Sequence, residues 1–313
     1  MKTEVQFSLI KRLLLMKFQK LFAGLCPFCL VHVCAQEMDP RAYTNLPKDM
    51  NVIVAAYALA RGHVLSDPSL PIKDFKITSH NVAFGYVHTF GFANKLARIN
   101  VVLPFVSMAG SLQFRGQDTS GNRTGFGDTR IQLAINVIGS PALSARDFKS
   151  YTQKTVVGIS LVTSIPTGLY YADKTINIGS NRWAFKPQIG FSRRFKQIYA
   201  DGYIGIWLYT NNSKYQNSKV LQQQPVVSAQ LHGSYYFKNQ MWVGINSTWF
   251  DGGQTTIDNI GYGDRLDHWR IGASWGVPVA KKQLVKLQFH FTAHTRYGQN
   301  YKLVALSYQY AFF

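Results

Sequence analysis

Cysteine and glutamate are nearly absent from this chain of 313 residues. The three cysteines, Cys26, Cys29 and Cys34, all precede Glu37, which is the last glutamate of the chain. Beyond that point the chain has no thiol for catalysis, no possible disulfide and no cysteine ligand for a metal. Glycoside hydrolysis needs two acids on facing walls, and the sequence nominates no such pair. We therefore expect that the protein is not an enzyme and that it binds neither a metal nor a cofactor.

Long apolar runs are absent after residue 35, which excludes membrane-spanning helices there. The first 35 residues have a basic lead, an apolar stretch that begins near Leu21, and small residues up to Ala35. This layout predicts a cleaved secretory signal peptide over residues 1–35, with Met1 or Met16 as the start. Its apolar core of about 14 residues is too short to cross a bilayer.

Acidic residues are also few. The chain has 34 Lys and Arg residues against 15 Asp and Glu, a formal net charge of +19. The basic residues are dispersed, whereas a nucleic-acid binder concentrates them in a patch or stripe. Dispersion and export together predict no nucleic-acid partner.

Apolar and polar side chains alternate along most of what remains. In LVKLQFHFTAHTR (residues 284–296) every second residue from 285 to 293 is apolar, with Lys, Gln, His and Thr between them. A period of two predicts strands, and tilted runs of about ten residues cross an outer-membrane core. About twelve such runs begin near Met50, Ile77, Leu96, Gly127, Lys154, Arg182, Ile198, Gln224, Gln240, Arg265, Lys282 and Asn300.

The segments between these runs differ in length. Short ones such as FANKLA and FKNQ alternate with long polar ones such as RGHVLSDPSLPIKDF and DGGQTTIDNIGYGD. The sequence therefore predicts an all-β fold over residues 50–313. It would be a transmembrane antiparallel β-barrel of about 12 strands with short periplasmic turns and long extracellular loops. Residues 36–49 would form an N-terminal periplasmic segment.

A soluble β-sandwich or lipocalin-like barrel is the competing fold. Such folds use shorter strands and turn their apolar residues inward. Here the polar faces carry Arg, Lys, His and Gln on successive strands, and a dry core could not hold them without a large desolvation cost. A barrel with a wet lumen avoids that cost. We therefore expect a protein of the outer membrane of a Gram-negative bacterium.

The chain ends on aromatic residues, among them Tyr308, Tyr310, Phe312 and Phe313. Alternation places the first three on a lipid-facing side, where Tyr310 and Phe312 would join the aromatic girdle at the periplasmic interface. Such an end resembles the C-terminal signal that outer-membrane proteins present to the barrel-assembly machinery. We expect that machinery and outer-membrane lipid as partners, and the sequence leaves the oligomeric state unknown.

Several motifs carry a family resemblance. LSDPSLPIKDFK, VVLPFV, GFGDTRIQLAINVIGSPALS, INIGSNRWAFKPQIGFSR and DRLDHWRIGASW occur in this order. They are similar to the bacterial family named for a MetA pathway of phenol degradation, from about Asp39 to the end of the chain. The resemblance implies an outer-membrane β-barrel associated with uptake of aromatic or other hydrophobic compounds. It implies no catalytic residues.

Lipid hydrolysis is the enzymatic alternative, because some outer-membrane barrels use a His and a Ser on the lipid-facing wall. His88 lies on an otherwise apolar face, but the chain lacks the Ser-Asn-Gly element of the outer-membrane phospholipases. His290 and His294 share a face, yet residues four apart on a strand are about 13 Å apart, too far to bind one metal. We expect these histidines to line a wet lumen instead.

The same alternation predicts the residues that line the lumen. They are Arg98, Asn100, Arg130, Gln132, Lys186, Gln188, Asp201, Tyr203, Gln230, His232, Arg270, Lys286, His290, His294 and Arg296. A basic lining favours anions, and guanidinium groups stack on aromatic rings. The predicted function is a channel or transporter for small solutes, either aromatic or hydrophobic compounds or small organic anions. The alternative is a closed structural or adhesive barrel in which these cations pair with Asp128, Asp201 and Asp267.

Overall fold

The computed structural model describes residues 38, 40–65, 72–114, 116–174 and 176–313. The predicted signal peptide lies outside these residues. The strands are β1 (Asn51–Leu65), β2 (Ile72–Phe92), β3 (Lys95–Phe114), β4 (Gln117–Phe126), β5 (Thr129–Ile138), β6 (Thr155–Ile165), β7 (Ala184–Phe195), β8 (Ile198–Tyr209), β9 (Asn212–Tyr215), β10 (Lys219–Gln223), β11 (Val226–Tyr236), β12 (Trp242–Gly252), β13 (Thr255–Ile257), β14 (Ile260–Gly261), β15 (Leu266–Ala280), β16 (Gln283–Thr295) and β17 (Gly298–Phe312). A short 3₁₀-helix covers Asp147–Ser150. No helix among the described residues is long and apolar enough to span a membrane.

Twelve of the described strands form a closed antiparallel barrel in the order β1, β2, β3, β5, β6, β7, β8, β11, β12, β15, β16 and β17. The first and last strands close it, with pairs that run from Asn51↔Phe312 to Leu65↔Gly298. The predicted fold class is confirmed. The largest difference among the predicted strand starts is at β2, which begins at Ile72 rather than near Ile77.

The two rims of the barrel differ, as predicted. One rim, which we call the short-turn rim, has turns as short as two residues. Ala93 and Asn94, for example, connect β2 to β3. On the other, the long-loop rim, the connections contain structure that the sequence did not predict. Strand β4 pairs with the outer half of β3, and β9, β10, β13 and β14 form a separate four-stranded sheet.

The barrel is apolar outside and polar inside. On the outer face Ile245, Leu231 and Ile204 are 73%, 69% and 61% exposed, whereas their inward-facing neighbours Asn246 and Gln230 are buried. This is the reverse of a soluble barrel and matches a wall that contacts lipid. The soluble alternative is therefore wrong.

Aromatic rings mark the short-turn rim at the end of β17. The rings of Tyr310 and Phe312 stack with centroids 5.9 Å apart, and the Lys282 ammonium lies 4.9 Å from the ring centroid of Phe313. Tyr308 and Tyr310 are exposed on the outer face. Their role as an assembly signal stays a prediction.

Candidate functional site: the lumen chamber

The barrel encloses a cavity of about 490 Å³, which we call the chamber. Its roof comes from the loop before β7 and from β9, which contribute Tyr170, Ile178, Ser180, Asn212 and Tyr215. Ten of the residues predicted from alternation line its walls: Arg98, Asn100, Arg130, Gln132, Lys186, Gln188, Tyr203, Gln230, Lys286 and His290. The strands therefore bring most of the predicted set together around one space.

The cations of the chamber lie against aromatic rings and backbone oxygens. One nitrogen of Arg98 donates to the carbonyl oxygen of Thr44 at 2.9 Å. The ring centroid of Trp207 lies 5.2 Å from Lys186 Nζ and 6.0 Å from the guanidinium carbon of Arg130. These contacts hold positive charge beside apolar surface inside the barrel.

The three acids of the closed-barrel alternative make different contacts. Asp128 accepts hydrogen bonds from the backbone nitrogens of Gly168 and Ser180, each at 2.9 Å. Asp267 lies 3.5 Å from His294, and neither carboxylate oxygen of Asp201 has a hydrogen-bond partner among the described residues.

The described residues that precede β1, residues 40–50, pack against inward-facing side chains of the barrel, and the predicted periplasmic segment 36–49 stays a prediction. We call these residues the N-terminal segment. Side chains of β8 and of the connection before β6 accept hydrogen bonds from its backbone: Tyr203 from Ala42 N at 3.0 Å, and Gln153 from Asn45 N at 3.1 Å. Arg41 and Ala42 contribute to the floor of the chamber.

Tyr43 anchors this segment in a recess of the wall and is 0% exposed. Its ring fills the space left by Gly158 and Gly190, which pair with each other across β6 and β7. A Cβ atom at these glycines would lie 2.3 and 2.0 Å from ring carbons of Tyr43. The hydroxyl lies 2.8 Å from Ser160 Oγ and accepts a hydrogen bond from Gln188 Nε2 at 3.0 Å. Burial raises the pKa of the Tyr43 phenol, so it stays protonated at neutral pH.

Contacts at both ends extend this attachment. Nearer the strand, Thr89 Oγ1 accepts from Met50 N at 3.0 Å and donates to the carbonyl oxygen of Pro47 at 2.7 Å. The Arg41 guanidinium lies 3.4 Å from the ring centroid of Tyr199. On the N-terminal side of the segment, Gln288 Nε2 donates to the carbonyl oxygen of Met38 at 3.1 Å.

Three other predicted lumen residues are buried on the inner face but outside the chamber lining. Asp201 and His232 pair across β8 and β11, and His232 Nδ1 lies 2.8 Å from Asn246 Oδ1. The Arg270 guanidinium lies 4.8 Å from the ring centroid of Tyr301. These residues belong to the packed part of the lumen.

His294 and Arg296 do not lie on the lumen face that alternation predicts. Strands β15 and β16 pair Trp269 with His294 but Arg270 with Thr292, so one extra residue bulges between them. The bulge moves His294 to the exposed face of Trp269, because one added residue exchanges the faces of a strand. Arg296 lies beyond the end of β16 and is exposed.

The apolar part of the chamber was missed by the sequence analysis. Val54, Ala56, Ala58 and Ala83 line the chamber from β1 and β2. The stretch NVIVAAYALA at the start of β1 is apolar on both faces, so no polar residue marked its inner side. The small size of the residues on that inner side was the sequence feature that could have indicated an open space there.

The histidines and acids named for lipid hydrolysis or metal binding have the following surroundings among the described residues. His88 Nδ1 lies 2.9 Å from Asn51 Oδ1, and its ring stacks on Phe90. In the part of the chain that the structure describes, no group of three His, Cys, Asp or Glu side chains could hold a metal ion.

Comparisons with known proteins bear on the family and the fold. The family model described as "Putative MetA-pathway of phenol degradation" matches residues 61–308. Among solved structures, the COG4313 outer membrane channel from Pseudomonas putida F1 is 20% identical with a TM-score of 0.76, over 88% of this chain and 100% of that chain. The beta domain of the Bordetella autotransporter Brka is 11% identical with a TM-score of 0.52, over 84% and 100% of the two chains. None of the curated proteins matches the chain.

Proposed function

The chain belongs to the family described as "Putative MetA-pathway of phenol degradation", and we propose that it is an outer-membrane channel for small organic anions. The observation that carries the proposal is the chamber, which Arg98, Arg130, Lys186 and Lys286 line from four different strands. Cationic side chains around a confined aqueous path favour anions over cations. The family description, which names phenol degradation, supports aromatic compounds as a solute class.

The proposed channel is gated rather than permanently open. The N-terminal segment lies across the lumen and forms the floor of the chamber, and loop residues form its roof. A solute therefore passes only when the segment loosens from the wall.

The test is the reversal potential of the purified, refolded protein across a salt gradient in a planar bilayer. We expect anion selectivity that weakens at high ionic strength, because salt screens the charges of the wall. The double variant Arg130→Gln/Lys286→Gln should reduce this selectivity without preventing assembly. Lys302→Gln is the matched control, since Lys302 is exposed on the outer face of β17.

Two results would overturn the proposal. Cation selectivity in the wild-type protein would show that the basic lining does not control permeation. A barrel that conducts nothing, even after the N-terminal segment is released by Tyr43→Ala, would leave the closed structural or adhesive barrel.

A further inference from the structure

We infer that the chamber is a two-sided binding site that takes organic anions with a flat apolar body, such as aromatic carboxylates, in preference to small hydrophilic anions. The inference rests on the proposed function and specifies its solute class. It comes from the position of the apolar wall relative to the cations, which the register of the strands defines.

The apolar wall covers three neighbouring strands. One row of paired residues joins Ala56 of β1, Ala83 of β2 and Pro104 of β3. The next row joins Val54, Gly85 and Val102 on the same strands. All six line the chamber. Strands lie about 4.8 Å apart, so the wall is about 10 Å across, enough to cover the face of one aromatic ring.

Cations lie on both sides of this wall in the pairing of the strands. In the first row Ala56 pairs with Ser307 of β17, which pairs with Lys286 of β16. In the second row Val102 pairs directly with Arg130 of β5. A ring that lies on the wall therefore places a carboxylate at its edge within the field of Lys286 or Arg130.

The small side chains of the wall also leave room for such a ligand. Alanine, valine and glycine project little into the lumen, so the chamber extends over them rather than being filled by the wall itself. Burying apolar surface there adds a favourable term that a small hydrophilic anion cannot gain. A neutral ring gains that term but lacks the attraction to the cations. The site thus favours ligands that combine both features.

The experiment measures equilibrium binding by calorimetry on the full-length mature protein in lipid nanodiscs. The probes are benzoate, acetate and benzyl alcohol. We expect benzoate to bind about tenfold more tightly than either acetate or benzyl alcohol. The wall variant Val54→Thr/Val102→Thr keeps the side-chain shape but adds two hydroxyls, and should weaken benzoate about fivefold while leaving acetate unchanged. Val304→Thr, on the exposed outer face, is its matched control.

The cation variant Arg130→Met/Lys286→Met should weaken benzoate and acetate by the same factor and leave benzyl alcohol unchanged. Equal affinities for benzoate and acetate would overturn the apolar half of the inference, and equal affinities for benzoate and benzyl alcohol the anionic half. Calorimetry does not depend on conductance. Binding without ion conduction would therefore refute the channel and keep the site, and conduction without ligand preference would do the opposite.

Discussion

Neighbouring residues on one strand of this barrel meet different solvents. Phe289 is 43% exposed on the outer face, whereas the next residue towards the N-terminus, Gln288, lines the chamber. A charge on the outer face has no water to solvate it within the membrane, and a charge on the inner face does. Substitutions at these two positions therefore report the register of β16 directly.

Phe289→Arg should destabilise the inserted barrel by about 2–4 kcal/mol or block insertion, because it exposes a guanidinium to the hydrocarbon core. Gln288→Arg should assemble normally. The measurement is denaturant unfolding of each refolded variant in lipid vesicles. Normal assembly of Phe289→Arg with destabilisation by Gln288→Arg would mean that the faces of β16 are exchanged, and equal tolerance of both changes would contradict the assignment of Phe289 to lipid.

At the scale of elements, the N-terminal segment is attached to strands β6 and β7 through one side chain, that of Tyr43. Gly158 and Gly190 create a recess that only a missing Cβ allows, and Tyr43 occupies it. The fit is specific because a side chain at either glycine would occupy the same space as the ring. The attachment of the floor to the wall therefore depends on these residues.

Gly190→Ala should displace Tyr43 and increase single-channel conductance, because its new Cβ would lie 2.0 Å from the ring. In a Tyr43→Ala background the same change should have no further effect, since the two act through one contact. Gly202→Ala is the matched control, because a Cβ there meets no atom closer than 3.5 Å. A conductance that does not respond to Gly190→Ala would show that the segment does not limit the path.

At the scale of the molecule, closure of twelve described strands into a barrel leaves no free edge in the ring. Each of the twelve strands pairs with a neighbour on both sides, and closure of this kind is the condition for crossing a membrane with strands.

The protein should fractionate with outer membranes and migrate differently on a gel before and after boiling. The mature chain should begin at Gln36, as expected for removal of the signal peptide, and mass spectrometry of its N-terminal peptide checks this. Recovery of folded protein from the soluble periplasm would contradict the membrane location, and a mature chain that keeps residues 1–35 would contradict the cleavage.

The sequence by itself determined the strands, their faces and the two kinds of rim. Alternation with period two is a local property. Ten of the residues that it predicted line the chamber, Arg130 and Lys286 among them, whereas a bulge in β16 shifts His294. Only the tertiary structure decided what fills the lumen. The position of Tyr43 against Gly158 depends on residues more than a hundred positions apart in the chain. The apolar wall of the chamber likewise exists only once register aligns β1, β2 and β3, because no single strand contains it.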